Sequence, residues 1–151
     1  LLMYAEAKYE LEGTLSQADV DMTINALRER AGFDFVKYPT SKLVVGQEPA
    51  DPRLDKIYAE KLDYPVSPLL REIRRERRVE LCFENKRYDD IRRWGIGTET
   101  MSGPIYGAWN PNDEAFVLIE TRACVFPKYD SWPLPQQEET ANSNIKQPTG
   151  W

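Results

Sequence analysis

One short stretch, YGAWNPND at residues 106 to 113, has the side chains best suited to holding a ligand. Trp109 and Tyr106 offer flat aromatic faces, on which the apolar C–H faces of sugar rings can stack. Asn110 adds an amide that can bond a sugar hydroxyl. We take Trp109, Tyr106 and Asn110 as candidate ligand-binding residues. The rings could instead fill the core of a loop-rich segment; this alternative stays open for Trp109 and is favoured for Trp132.

The residues that most enzymes use for catalysis are scarce in this chain. It contains no histidine, which excludes histidine general bases, Ser-His-Asp triads and histidine metal sites. The acidic pairs Asp89-Asp90 and Glu138-Glu139 are adjacent residues, which point about 100° apart on a helix and so do not form a glycosidase dyad. We expect no enzymatic activity, no cofactor and no metal.

Two cysteines, Cys82 and Cys124, are too few for a zinc cage. They could pair if the protein is exported, or they could remain as two buried free thiols, which is the interpretation we favour. No segment of the sequence is long and apolar enough to predict a membrane span.

The stretch REIRRERRVELCFENKRYDDIRRWG, residues 71 to 95, interleaves basic and acidic side chains. A basic patch can bind nucleic acid, but the interleaved acids and the net charge of −5 favour a helix that neutralises itself. One helical stripe has spacings of three and four: Leu70, Ile73, Arg77, Leu81 and Glu84. Because an unpaired buried charge is costly, Arg77 and Glu84 are predicted to join an ion-pair network that is at least half buried. No nucleic-acid partner is expected.

The first 32 residues predict a helix hairpin. The apolar stripe expected for residues 1 to 12 consists of Leu1, Tyr4, Ala5, Lys8 and Leu11. Gly13 can end this helix, and Ser16 with Asp19 can cap a second one, which Gly32 ends. Two helices joined by so short a turn must pack antiparallel, as in a tetratricopeptide-like unit.

The rest of the chain divides by composition into four segments: a loop-rich insertion at 33 to 66, a charged helix pair at 67 to 95, a loop region at 96 to 131, and a C-terminal tail at 132 to 151. Asp51-Pro52 predicts the start of a helix that reaches about Tyr64, and Asn85 predicts a turn. The β-branched content of AFVLIETRACVF allows a small hairpin. The predicted fold is therefore mainly α, with long irregular loops and at most a small β-hairpin.

Four pieces of the sequence, in this order, resemble the SusD/RagB family of nutrient-binding outer-membrane lipoproteins: LLMYAEAKYELEG with INALRERAG, LREIRRERRVELCFENKRYDDIRRWG, VFPKYDSWPLPQQE, and the terminal NIKQPTGW. The family pattern usually has glycine where this chain has Asn85, and asparagine is compatible with the same turn. The insertion at 33 to 66 and the loop at 96 to 124 match nothing specific in the family.

This resemblance implies a binding protein that is not an enzyme. Family members are lipid-anchored on the outer face of Gram-negative cells and act as a lid on a SusC-like, TonB-dependent transporter, to which they deliver oligosaccharides or, in some members, peptides. The chain opens inside a helical pattern without an initiator methionine, so we expect the lipid anchor and most of the helical scaffold to lie upstream. Ligand contacts vary within the family, and none is transferred to this chain.

A second function from another class remains open at this point. A tetratricopeptide-type scaffold would also contain a helix hairpin like that of residues 1 to 32, but it would bind proteins and no glycan. The upstream sequence would distinguish the two, because a lipobox cysteine supports the first function and further helical repeats support the second.

Overall fold

The computed structural model describes residues 1 to 126 and 128 to 151, apart from the side chains of Lys61 and Asp130. The described chain is mainly helical with a small two-stranded antiparallel sheet, which confirms the predicted fold class. The helical elements are α1 (Leu2–Glu12), α2 (Gln17–Val20), a π-helical turn (Asp21–Asn25), α3 (Ala26–Arg30), a 3-10 turn (Pro39–Ser41), α4 (Pro52–Lys61), α5 (Pro68–Glu80), α6 (Arg87–Arg93), α7 (Gly97–Met101), a second 3-10 turn (Lys128–Asp130) and α8 (Gln136–Ala141). The strands are β1 (Gly103–Asn110) and β2 (Ala115–Arg122).

The chain divides into two compact units, Leu1–Tyr88 and Asp89–Trp151. The first unit contains α1 to α5, and the second contains α7, α8 and the β-hairpin. Within the described residues, no helix combines the length and the apolar character needed to cross a membrane.

The turn between α1 and α2 forms at the residues that the sequence indicates. Gly13 has a left-handed φ of 75°, and its N–H bonds to the carbonyl of Tyr9 at 2.7 Å. Ser16 and Asp19 form a capping box, in which each side chain accepts a hydrogen bond from the backbone N–H of the other residue. Lys8 Nζ donates to the Asp19 carboxylate at 2.9 Å. These bonds hold the turn that follows α1.

The buried face of α1 differs from the predicted stripe. Ala5 is fully buried as part of it, but Leu1 and Leu11 are 60% and 85% exposed, and Leu2 is buried instead. The hydroxyl of Tyr9 lies 2.6 Å from Ser67 Oγ at the start of α5. Contact with α5 therefore selects the face that contains Leu2, Ala5 and Tyr9, which spacing alone did not distinguish.

A clamp at Asn25 brings the loop after α3 into the core of the first unit. The core consists of apolar side chains from three helices, the π-helical turn and two loops: Ala5, Leu15, Val20, Ile24, Leu43, Leu69 and Ile73. Leu43 comes from the loop. The side chain of Asn25, a residue only 3% exposed, bonds both backbone groups of Leu43. Leu43 N–H donates to Asn25 Oδ1 at 2.8 Å, and Asn25 Nδ2 donates to the Leu43 carbonyl at 2.9 Å. The loop is thus buried without leaving these polar groups unbonded.

Both α4 and α5 begin with a capping side chain followed by proline. Asp51 accepts from the N–H of Leu54 at 3.0 Å, and Ser67 accepts from the N–H of Leu70 at 3.1 Å. Proline at the first helical position loses no helical hydrogen bond, since its N–H would be unpaired there. The predicted start at Asp51-Pro52 is confirmed, while α4 ends at Lys61, before the expected Tyr64.

The chain turns sharply after α5 ends at Glu80. Phe83 and Asn85 have left-handed φ values of 67° and 57°, so the predicted turn at Asn85 is present. Because the helix does not reach Glu84, that residue leaves the buried stripe and is exposed. Glu84 therefore does not lie on the helical stripe with Arg77, where the spacing predicted it.

Glu72 is the centre of a buried charge cluster on α5. Its side chain is 1% exposed and lies among three guanidinium groups, with N–O distances of 3.4 Å to Arg75, 3.6 Å to Arg71 and 3.7 Å to Arg28. Arg28 Nε also donates to Glu76 at 2.9 Å. Glu72, Glu76, Arg71 and Arg75 of the basic stretch are thus paired within the fold, and the further arginine, Arg28, comes from α3.

Three further contacts extend the cluster to other elements. Arg71, itself 1% exposed, donates to the Asp55 carboxylate of α4 and to the Pro49 carbonyl. Arg77 has a side chain that is 13% exposed, and its Nε lies 3.9 Å from the Glu6 carboxylate of α1. Ion pairs therefore link α5 to α1, α3 and α4.

The second unit has a small core beside α6 and α7. Ile91, Trp94 and Ile96 are buried. Arg93 Nε donates to the Asp90 carboxylate at 2.9 Å. A Cβ at Gly97 would lie only 2.5 Å from the ring of Phe126, so glycine permits this close approach.

Polar contacts hold the C-terminal tail, whereas ring burial was expected. Trp132 is 91% exposed, so its predicted place in the core is wrong. Trp151 is 46% exposed, and its Nε1 donates to the carbonyls of Lys128 and Ser131 at 2.8 and 3.1 Å. The proline-rich segment around Trp132 forms no regular element that could press the ring against an apolar face.

Both cysteines are free, so the pairing alternative is not realised. Cys82 is exposed and Cys124 is partly buried, which contradicts the expectation of two buried thiols. Cys82 lies in the turn after α5, outside the part of the stripe that packs against the core.

Replacing Asn25 by alanine should destabilise the protein by about 1–3 kcal/mol, because the buried N–H of Leu43 would lose its acceptor. The Leu43 carbonyl would keep one donor, Gln17 Nε2 at 3.1 Å. Urea unfolding followed by circular dichroism measures this loss. The control is Gln47→Ala at an exposed position, for which we expect almost no change. Equal stability of the two variants would contradict the clamp.

Removing the Glu72 carboxylate should destabilise the protein by about 3–5 kcal/mol, because three arginines would lose their shared partner. Thermal or urea unfolding of Glu72→Ala tests this. Glu60→Ala is the matched control, since Glu60 is about half exposed and pairs only with Lys56 at 3.8 Å in the described contacts. A Glu72 variant as stable as the control would rule out a structural role for the cluster.

Asp19 should make the fold sensitive to acid. Hydrogen bonds first from Ser16 and then from Lys8 hold its pKa below the usual value. A carboxyl with a lower pKa in the folded state stabilises the protein above its unfolded pKa of about 3.9, and this stabilisation is lost as the pH falls towards the folded value. In unfolding series from about pH 4 to pH 2, Asp19→Asn should therefore lose stability less steeply than the parent protein. The control Gln47→Ala, which removes no carboxyl group, should keep the parent slope, and identical slopes in all three proteins would refute the prediction.

Candidate functional site

The segment that contains Trp109 forms the first strand of a β-hairpin. β1 pairs with β2 in antiparallel register, from Gly103 opposite Arg122 to Asn110 opposite Ala115. AFVLIETR is thus a single strand, and its partner comes from the Gly- and Pro-containing segment that the sequence assigned to loop. The sequence did not predict β1, because pairing with β2, and not the strand propensity of its own residues, defines this strand.

Side chains in the connecting turn stabilise the hairpin. Asn110 Nδ2 donates to Asp113 at 2.5 Å, and Asn110 Oδ1 accepts from the N–H of Asn112 at 3.0 Å. Glu114 completes the turn with a left-handed φ of 48°. The amide of Asn110 therefore bonds within the turn.

An irregularity in the pairing decides which side chains share a face. Tyr106 is opposite Leu118 and Trp109 is opposite Phe116, so β1 uses three steps where β2 uses two. Residues three apart point to opposite faces of a regular strand, but the extra residue of a bulge reverses this relation. Because Phe116 and Leu118 are two apart, their partners Tyr106 and Trp109 lie on one face.

Four side chains on this face form what we name the hairpin platform: Tyr106, Trp109, Phe116 and Leu118. Their exposed fractions are 58%, 51%, 59% and 54%. The rings of Trp109 and Phe116 meet edge to face, with centroids 5.1 Å apart and an interplanar angle of 75°. The contact fixes the two rings relative to each other while leaving about half of each accessible.

The opposite face has a different packing. A Cβ at Gly107 would lie 2.8 Å from Ile119 Cδ1, so the absence of a side chain at Gly107 lets Ile119 lie across the strand. Asn110 follows Trp109 directly in the regular part of the strand and so points away from the platform.

The candidate ligand residues are therefore brought together only in part. Tyr106 and Trp109 share the platform, whereas Asn110 supports the turn. Sequence reasoning missed Phe116 and Leu118, although their alternate spacing in AFVLIETR is a recognisable strand signal. The register that joins them to Tyr106 and Trp109 depends on the bulge, for which the sequence has no clear signature.

A family model described as the SusD family matches residues 1 to 151, which is the whole sequence. The chain belongs to the SusD family. This confirms the resemblance found in the four sequence segments.

A solved structure supports the same relationship. A SusD-like carbohydrate binding protein from Bacteroides fragilis is 30% identical to this chain, with a TM-score of 0.61. The alignment covers 96% of this chain and 26% of that protein, so the chain spans about a quarter of the length of its SusD-family relative. No curated protein sequence matches the chain.

The first unit of this SusD-family chain contains a cavity of about 560 Å³ between α4 and the segment before α5. Tyr58 and Tyr64 line it, and both rings also lie against the buried guanidinium of Arg74, at 5.6 and 5.5 Å. The contact with Arg74 gives both tyrosine rings a structural role, so their position in the cavity does not by itself indicate a ligand site. Over the described residues, no cluster of acidic and cysteine side chains has a metal-binding arrangement.

Proposed function

We propose that the hairpin platform of this SusD-family chain binds a glycan. The observation that supports this most directly is the exposure of Tyr106 and Trp109 on one face of the hairpin. The related solved protein from Bacteroides fragilis is described as carbohydrate binding, which is consistent with the same role.

The chemistry of the platform suits a sugar ring better than a metal or a phosphate. The apolar C–H face of a sugar can lie on the indole of Trp109, and its edge hydroxyls can reach polar groups beside the strand. The contact between Trp109 and Phe116 reduces the freedom of both rings before a ligand arrives, so less conformational entropy is lost on binding. An open surface of this kind fits an extended oligosaccharide.

The proposed role is binding without cleavage. Of the two adjacent acidic pairs, the first has Asp90 buried and bonded to Arg93 at 2.9 Å. Glu138 and Glu139 lie side by side in the short helix α8. Neither pair has the facing geometry that glycoside hydrolysis uses.

We further propose the cellular setting that the family resemblance implies. The intact protein would be lipid-anchored at the outer face of the outer membrane through a segment outside this sequence. There it would deliver an oligosaccharide, or a peptide as some family members do, to a SusC-like TonB-dependent transporter. Co-purification of that transporter with the intact protein tests this part. Family membership favours this role over the tetratricopeptide-type protein-binding scaffold.

Removal of the central ring of the platform should weaken glycan binding. Trp109→Ala in the intact protein should reduce affinity by about 1–3 kcal/mol, the usual cost of truncating a contacting aromatic residue. Isothermal titration calorimetry with a panel of oligosaccharides measures the effect. The matched control is Trp132→Ala, because Trp132 is an exposed tryptophan of the same unit outside the platform.

Two results would contradict the proposal. Equal affinities of Trp109→Ala and the parent protein would remove the platform from the binding site. A lowered melting temperature with unchanged affinity would instead assign Trp109 a packing role in the intact protein. Loss of affinity in the Trp109 variant alone, with parent-like melting, is the expected outcome.

A further inference from the structure

The charged groups of the β-hairpin itself are mostly acidic. Between Gly103 and Arg122 the sequence contains three acids, Asp113, Glu114 and Glu120, and a single base, Arg122. Arg122 Nε donates to the carboxylate of Glu120, so the single cation of the hairpin already has an anionic partner. The net charge of the whole chain is also negative, at −5.

The polar groups at the tip are acceptors and amides. Asp113 accepts from Asn110, whose side chain points away from the platform, so this carboxylate lies in the connecting turn that follows Trp109. A carboxylate can accept hydrogen bonds from sugar hydroxyls, but it cannot bond another carboxylate at neutral pH. The negative charge of this turn therefore disfavours an anionic ligand on the nearby platform, through repulsion and not through direct contact.

We propose that the hairpin platform selects uncharged glycans and discriminates against acidic ones, such as those built from uronic acids or bearing sulfate. This inference rests on the proposed function of the platform and specifies its ligand class. It follows from local charge, whereas the Trp109 argument follows from ring exposure, so the selectivity can fail while the glycan-binding function stands.

Electrostatics gives the direction and the approximate size of the effect. Two like charges about 7 Å apart in water reduce affinity roughly threefold at low salt, and less as salt screens them. A glycan with a carboxylate on each sugar meets several such interactions at once. Its carboxylate would also lose hydration against the apolar rings of the platform without gaining a cation.

The experiment compares each neutral oligosaccharide with the same oligosaccharide after oxidation of its C6 hydroxyls to carboxylates. The pair has the same length, linkage and ring geometry, so charge is the main difference. Titrations use the intact protein at about 20 mM and about 500 mM sodium chloride, which correspond to long and short screening lengths. For the tightest neutral binder we expect oxidation to lower affinity at least about tenfold at low salt, and the ratio to shrink at high salt.

Charge variants separate the local field from the total charge. Glu120→Gln removes an acid of the hairpin and leaves Arg122 without that partner, so the ratio of neutral to acidic affinity should fall several-fold. Glu10→Gln makes the same change in net charge at an exposed position of α1, in the other unit, and should leave the ratio as in the parent protein.

Each outcome distinguishes the two claims. An oxidised ligand that binds as tightly as its neutral parent, or more tightly, would overturn the selectivity while the glycan-binding function stands. If the affinity ratio changes neither with salt nor in Glu120→Gln, the preference would come from the shape of the C6 group, and the proposed charge selectivity would also be overturned. If no neutral or oxidised oligosaccharide binds, both the proposed function and the selectivity fail.

Discussion

The pairing of the Glu72 carboxylate with three guanidinium groups is the interaction on which the first unit depends most. A carboxylate that is 1% exposed must be compensated, and here Arg28, Arg71 and Arg75 do so at 3.4–3.7 Å. Each of these arginines also contacts a second carboxylate: Glu76 on α5 for Arg28, and Asp55 and Asp51 of α4 and its cap for Arg71 and Arg75. The cluster thus fixes how α3, α4 and α5 pack, because a shift of any one of them would separate buried charges. It also explains why a strongly basic helix occurs in an acidic protein.

The clamp at Asn25 solves a related problem in the same unit. A long loop has to cross the helices, and its buried backbone groups need hydrogen-bond partners. Asn25 bonds both backbone groups of Leu43, and Gln17 also donates to the Leu43 carbonyl, which lets an apolar side chain from the loop complete the core. In both features a buried polar side chain is engaged by a group from another part of the chain: Arg28 of α3 lies near Glu72, and Leu43 of the loop bonds Asn25.

The second unit differs because its most conspicuous apolar side chains are exposed. The hairpin presents Tyr106, Trp109, Phe116 and Leu118 on one face, with the bulge in β1 responsible for this arrangement. A two-stranded sheet has only marginal stability in water, and exposed apolar patches commonly mark interaction surfaces. The turn bonds of Asn110 and the contact between Trp109 and Phe116 order the platform. In the proposed selectivity, the acids of the hairpin, with Arg122 paired to Glu120, favour a neutral ligand over an anionic one.

The sequence by itself determined the helix boundaries that depend on local chemistry. Gly13, Ser16 with Asp19, Asp51-Pro52 and Asn85 each form the cap or turn that their residue types predict, since these effects act within a few residues. It also indicated the family and the mainly helical class. Only the tertiary structure decided which face of α1 is buried, that Glu84 lies outside the helix, and that the Trp132 ring is exposed. It alone placed Phe116 beside Trp109, because burial and strand register depend on partners far along the chain, and a bulge of one residue changes which side chains share a face.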